Sequence, residues 1–410
     1  MIRLAMRVLA WLAVLSSAAA VEARSLDQAI PGLFGGTLAT FIDPRAGRDA
    51  QRPRLADQFK RLSAALSAAR SQAPIPSASG SFSYGWDEDA DTYTRLGMSL
   101  GSMVAERAPT LGRGVGTIGV SYTRIDFDTF EGHPLHNLTA SQPALSASLL
   151  SQLPASDRAR AEDDVLETRL DLALSLDLLF LTAAYGVTDQ LDVSIALSVN
   201  HAHLSARGSA SIRDSDGDGG SYFVVDQPGV VVGGTGECQT DFHCANDSFH
   251  GDETGTGDVF LRAKWLFRRG APVDVALAGT LTVPTGNADE LLGFHDVTFT
   301  PLFILSRSFG RFSAHTNVGY AIRSQRDISQ ALWIGGADVA VTSWLTLAID
   351  FLGFHDHDRD GINDNVYQCA PGLKASWRDR LVTGFGVQLP LNRDGLRADV
   401  IYTGQLEASF

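Results

Sequence analysis

The chain has 410 residues, 44% of them hydrophobic, and a formal net charge of −14. That acidic balance excludes a nucleic-acid partner and fits an acidic surface that collects divalent cations. Forty glycines and only fifteen prolines suit turns and strands rather than disorder.

Residues 1–23 read as a signal peptide. Arg3 and Arg7 supply the positive start, Val8 to Leu15 a short apolar run, and Ala18, Ala20 and Ala23 small-residue cleavage positions. The run is shorter than the roughly 20 residues of a spanning helix. No later segment reaches that length without charges, so the exported chain is either soluble or a β-barrel.

Residues 24–78 differ in kind from the rest. Leu55 to Arg70 has helical spacing, with Leu55, Phe59, Leu62, Leu66 and Ala69 near one face. Pro74 and Pro76 end the helix. It is a periplasmic helix, a plug inside a barrel or a loosely ordered leader.

From Ser79 to Phe410 the chain reads as strands: 79–86, 92–107, 113–128, 166–186, 190–212, 256–268, 272–284, 297–309, 312–323, 331–341, 344–354, 366–378, 381–391 and 397–410. In the fourth, Leu170, Leu172, Leu174, Leu176, Leu178 and Phe180 share one face, and Glu167, Arg169, Asp171 and Asp177 the other. Globular strands are usually about 3–10 residues, too short to carry such a pattern this far. Strands 297–309 and 331–341 alternate poorly. Short and long connections also alternate, as in outer-membrane barrels with short periplasmic turns and long outer loops. The predicted fold is an all-β, antiparallel up-and-down barrel of about fourteen strands, with twelve as the alternative, in the outer membrane of a Gram-negative bacterium.

A barrel of that width leaves a lumen. Glu167, Arg169, Asp171, Asp177, Arg262 and Lys264 are the predicted lumen-lining charges. Tyr122, Trp265, Tyr320, Trp333, Trp344, Phe351, Trp377 and Tyr402 suit interfacial girdles. Outer-membrane lipid and the barrel-assembly machinery follow as partners.

Several short stretches resemble the family labelled "Putative MetA-pathway of phenol degradation". They are Gly257–Trp265, Leu281–Gly286, Ser306–Gly310, Val318–Tyr320, Ala184–Asp189 and Glu106–Gly112. The resemblance implies an outer-membrane barrel of transporter type, distantly similar to FadL-type channels for hydrophobic compounds. No binding residue is carried over.

Two loops are acidic at alternate positions. Asp214, Asp216 and Asp218 precede Gly219; Asp356, Asp358 and Asp360 precede Gly361, with Asp364 beyond. Such spacing can wrap a calcium ion, although the closing Glu of an EF-hand loop is absent. Cys238 and Cys244 lie in one polar loop and are expected to form a disulfide, leaving Cys369. His201 and His203 share one strand face; His243, His250 and His295 are expected in outer loops. There is no GxSxG, HExxH or P-loop.

The expected function is passive passage of small molecules, hydrophobic or aromatic ones by resemblance, with no cofactor required beyond Ca2+ in the outer loops. A non-transporting surface barrel with calcium-ordered loops is the alternative, and an outer-membrane enzyme a third reading.

Overall fold

The computed structural model describes residues 97–143, 165–213, 244–270, 272–323, 329–357, 365–378 and 380–410. Shorter pieces are Leu26, Leu62, Ala65, 81–82, 84–87, 92–95, 150–151, 155, 158–159, 162–163, 222–224 and 231–233. The expected signal peptide lies outside the described residues.

Among the described residues eighteen strands follow one another: β1 (Tyr84–Asp87), β2 (Thr92–Arg95), β3 (Gly116–Phe130), β4 (His133–Pro134), β5 (Leu138–Pro143), β6 (Val165–Gly186), β7 (Leu191–Arg213), β8 (Tyr222–Val224), β9 (Val231–Gly233), β10 (Cys244–Arg268), β11 (Asp274–Val283), β12 (Thr298–Phe309), β13 (Phe312–Arg323), β14 (Ser329–Ala340), β15 (Leu345–His357), β16 (Asn365–Trp377), β17 (Leu381–Pro390) and β18 (Leu396–Ser409). One sheet holds 14 of them, all pairing antiparallel. Twelve strands close the ring: β3, β6, β7 and β10 to β18, sealed by β18 against β3 and β3 against β6. The remaining two sit on the rim. β5 continues the line of β3 along the far end of β6, from Leu138 opposite Leu170 to Pro143 opposite Val165.

The expected strands 79–86 and 92–107 are not in the wall. Only Tyr84–Asp87 and Thr92–Arg95 are strands there, and they pair with each other in a separate hairpin. Residues 97–115 form no strand. Pro109, with no N–H, and Gly101 and Gly112, at φ 85° and 99°, break any ladder in that stretch.

Short turns join β6 to β7, β10 to β11, β12 to β13, β14 to β15 and β16 to β17 at one rim. Both ends of the wall meet at that rim, where Phe410 and Gly116 exchange backbone hydrogen bonds of 2.9 Å. It is the periplasmic rim by the short-turn rule.

Most wall strands have 10–15 residues, close to the roughly 9–11 a tilted strand needs to span a bilayer. β6, β7 and β10 have 22, 23 and 25 and run beyond it on the outer side. This overshoot changes which face is apolar. In the membrane half the outer face carries Leu181 and Tyr185 on β6 and Val193, Ile195, Leu197 and Val199 on β7, all exposed. Farther out the outer face turns polar, with Arg169, Asp171 and Asp177, while Leu170, Leu172, Leu174 and Leu176 are buried inside. The β6–β7 register is unbroken, so these are one pair of faces throughout.

The expected girdle residues Tyr122, Trp265, Tyr320, Trp333, Trp344, Phe351, Trp377 and Tyr402 are all exposed on the outer surface. Trp265, Trp344 and Trp377 stand beside short turns, and Trp333 packs near Tyr367 higher up, at 6.4 Å between ring centroids. A closed barrel with this apolar belt is an outer-membrane protein.

Candidate functional site: the filled lumen

The periplasmic half of the lumen is occupied by residues 97–111. Ser99, Leu100, Gly101, Ser102, Ala105, Glu106, Ala108, Thr110 and Leu111 are all buried. A non-strand segment in that position has backbone groups that need partners. The inward polar side chains of the wall supply them.

The Leu100 amide donates to Thr346 Oγ1 at 2.9 Å and the Val104 amide to Asp350 Oδ2 at 3.1 Å. Glu106 and Asn317 pair like two strand residues. The Glu106 amide donates to Asn317 Oδ1, and Asn317 Nδ2 donates to the Glu106 carbonyl, both at 2.8 Å. The Ala108 amide donates to Ser306 Oγ at 2.8 Å, and the Leu111 amide to Asp192 Oδ2 at 3.0 Å. Lys264 Nζ donates to the Pro109 carbonyl at 2.9 Å and lies 3.5 Å from Asp192. The segment thus crosses the inner wall from β14 and β15 to β7.

Charge is paired within this layer. The Glu106 carboxylate takes a hydrogen bond from Arg262, which also donates from Nε to Thr280 Oγ1 at 2.8 Å. Ser99 and Ser102 donate to Asp338 and Asp350. His315 lies between those two carboxylates, Nε2 at 2.7 Å from Asp350 and Nδ1 at 3.5 Å from Asp338, with all three side chains fully buried. Gly372 and Gly386 leave room for Met103 of the segment, since a Cβ at either would meet its side chain at 2.3 or 3.1 Å.

The outer half of the lumen is apolar. Leu170, Leu174, Leu178, Ala202, Leu204 and Phe260 form one buried cluster with Leu26, Leu62, Ala65, Leu291 and Leu292. The connection between β11 and β12 folds inward to provide Leu291 and Leu292. Asp258 holds it, accepting from the Gly286 amide at 3.1 Å and the Phe294 amide at 2.8 Å. Asn200 Nδ2 donates to the Leu292 carbonyl at 2.8 Å.

Between these layers lies a cavity of about 160 Å³. Glu106, Arg262 and Asn317 give it a polar floor. Its walls are mainly apolar: Phe180, Phe260, Leu302, Leu332, Ile334 and Phe354, with Ala321 beside them. Phe294 borders it under the Arg323 guanidinium, 4.9 Å from the ring centroid.

Of the six lumen-lining charges predicted from sequence, Arg262 and Lys264 point inward, to Glu106 and Asp192. The expectation for β6 is corrected. Arg169, Asp171 and Asp177 share the outer face with Leu181 and Tyr185, and Glu167 has the same parity. Asp177 pairs there with Arg124 at 3.0 Å, and Glu167 with Arg169 at 3.0 Å. The period-two pattern is real, but beyond the bilayer water lies outside and a packed interior lies within, so the wet face turns outward.

Asp214, Asp216, Asp218, Asp358, Asp360, Asp364 and Cys238 lie outside the described residues. Asp356 is the last but one residue of β15 and Cys244 begins β10, but their side chains lie outside the described residues too. Cys369 on β16 is a free thiol. His250 is in β10 rather than in a loop.

Sequence reasoning missed the Ser99–Leu111 segment and its wall partners Asp338, Asp350 and His315. The signals were Gly101, Pro109 and Gly112 inside a supposed strand, and isolated inward charges on strands that face lipid.

Residues 213–395 match the model of the family described as "Putative MetA-pathway of phenol degradation". The family resemblance holds over these residues. No curated protein matches the chain. Solved structures similar to it include an outer-membrane channel from Pseudomonas putida F1, at 14% identity, covering 74% of this chain and 98% of that one with a TM-score of 0.44. A FadL homologue from Pseudomonas aeruginosa is 10% identical, covering 73% and 90% with a TM-score of 0.32. The Ralstonia pickettii toluene transporter TbuX is 10% identical, covering 73% and 88% with a TM-score of 0.31.

Proposed function

We propose that this barrel is an outer-membrane channel for small, mainly apolar molecules of about one ring, which pause in the cavity above the Ser99–Leu111 segment. The observation that carries this reading is the cavity itself. An apolar protein cavity of about 150 Å³ takes up benzene, and this one is about 160 Å³. Its aromatic and aliphatic walls remove a ring from water at roughly 25 cal/mol per Å². Its floor of Arg262, Asn317 and Glu106 can hydrogen-bond one polar substituent, so a ring carrying a hydroxyl fits better than a plain hydrocarbon. The description of the matching family, which names phenol degradation, agrees with a phenolic cargo.

Passage requires the Ser99–Leu111 segment to shift, because it is buried across the periplasmic half of the lumen. Its attachments are hydrogen bonds and ion pairs to wall side chains, which can be exchanged without unfolding the barrel. We further propose that Leu26, Leu62 and Ala65 help to close the outer end of the lumen, since these three residues are buried within the apolar lumenal cluster.

The reading is tested by soaking crystals in 4-bromophenol and locating bromine by anomalous scattering. A bromine peak in the cavity, lost in Ala321→Trp, is the expected result. Bromine bound only on the outer belt would contradict it.

A further inference from the structure

β7 and β10 carry a second cluster, unconnected with the lumen. At Thr256 to Val259 the register of β10 against β7 shifts, which reverses the inward and outward parity of β10. Below the shift Val259 and Leu261 face outward; above it Thr254, Asp252 and His250 do, opposite His201, His203 and Ser205. Gly251 and Gly255 confirm the parity, because a Cβ at either would meet the buried Leu26 or Leu292. The cluster therefore stands on the outer surface. It begins two residues beyond Val199, where the apolar belt ends.

We propose that His203, His250 and Asp252 form a binding site for a transition-metal ion, with zinc(II) the best match. One imidazole nitrogen from each histidine and one carboxylate oxygen all lie within 4.8 Å of one another. The His203 and His250 rings meet edge to face with centroids 5.1 Å apart, and His203 Nδ1 is 3.9 Å from Asp252 Oδ2. Metal–ligand bonds of about 2.0–2.2 Å bring such atoms together with small side-chain rotations. The other Asp252 oxygen is held by His201 Nε2 at 3.1 Å, and His201 Nδ1 bonds Thr254 Oγ1 at 2.7 Å. His201 thus positions the carboxylate rather than completing the triangle.

The donor set decides the ion. Two imidazoles and one carboxylate favour zinc, nickel or copper; calcium and magnesium take all-oxygen sites. The histidines come from one strand and the neighbouring strand, so a bound ion cross-links β7 to β10 at the membrane surface. Three protein ligands leave one tetrahedral position open to the outside.

The test uses the untagged full-length barrel, refolded in detergent with excess calcium to occupy carboxylate sites. Zinc chloride is titrated against it with a chromophoric chelator as competitor. The expected result is one saturable zinc site per chain, absent from His203→Ala and from His250→Ala. His201→Ala should weaken it by about 10–100-fold, as for a residue that orients a ligand. All variants are checked for heat-modifiable migration, and His133→Ala with His136→Ala is the control for stray histidine binding. Copper(II) electron paramagnetic resonance gives a second readout, with coupling to two imidazole nitrogens in the parent. No saturable zinc in the parent, or equal affinity in either folded His203 or His250 variant, overturns the proposal.

Discussion

His315 on β13 and Asp350 on β15 meet at 2.7 Å although a whole strand separates them. The residue between them on β14 is Gly336, opposite His315 on one side and Asp350 on the other. A Cβ there would lie 2.2 Å from Asp350 Oδ1 and 2.8 Å from His315 Nε2. The glycine opens a gap through which the wall makes a buried ion pair, and the lumenal segment attaches to that pair through Ser102 and Val104.

Gly336→Ala should therefore force this pair apart. The Ile349 carbonyl, 2.5 Å from the new Cβ, cannot rotate away. We expect a loss of about 1–3 kcal/mol, the usual range for overpacking, in equilibrium urea unfolding from lipid vesicles. Gly404→Ala has nothing within 4 Å of its new Cβ and should leave stability unchanged.

Asp350→Ala removes the acceptor of His315, Ser102 and the Val104 amide together. Breaking a buried ion pair from one side typically costs about 3–5 kcal/mol. The lumenal segment should also loosen, seen as faster tryptic cleavage at Arg107 and larger single-channel conductance. Unchanged cleavage would show that the segment is held by its other contacts alone.

Glu106 and Arg262 couple the lumenal segment to β10, with the Glu106 side chain buried and that of Arg262 largely so. A double-mutant cycle with Glu106→Gln and Arg262→Gln should give a coupling of roughly 0.5–3 kcal/mol, the range for residues in direct contact. Additive effects would place the two residues in separate networks.

The overturned faces of β6 make a further prediction. Leu174→Asp puts a carboxylate into the buried cluster. It loses about 1.5–3 kcal/mol of burial besides the cost of burying the charge, so heat-modifiable barrel should fall sharply. Asp171→Leu, on the exposed face, should change stability by no more than about 0.5 kcal/mol. The reverse ranking would restore the lumenal assignment of Asp171.

These faces also show how far the sequence could be read. Alternation along Leu170–Phe180 identifies a two-faced strand, but not which medium each face meets. In β6 that depends on how far the strand overshoots the bilayer, which only its partners reveal. Strands 297–309 and 331–341 alternate poorly because Leu302, Ile304, Leu332 and Ile334 point inward beside the polar Ser306 and Asp338, while Phe299, Phe303, Trp333 and Val339 point into lipid. A strand with apolar residues on both faces has a weakened period. The Ser99–Leu111 segment was hidden for another reason: its bonds go to side chains far along the chain, such as Asn317 and Asp350, and no local pattern encodes them.

The measurement that bears most directly on the channel reading is influx of radiolabelled phenol at low external concentration into cells carrying the barrel. The parent, Ala321→Trp and an empty outer membrane are compared at equal barrel abundance. Saturable influx through the parent, reduced to background by filling the cavity at Ala321, is the predicted result. Influx that is the same in all three would contradict passage through this lumen.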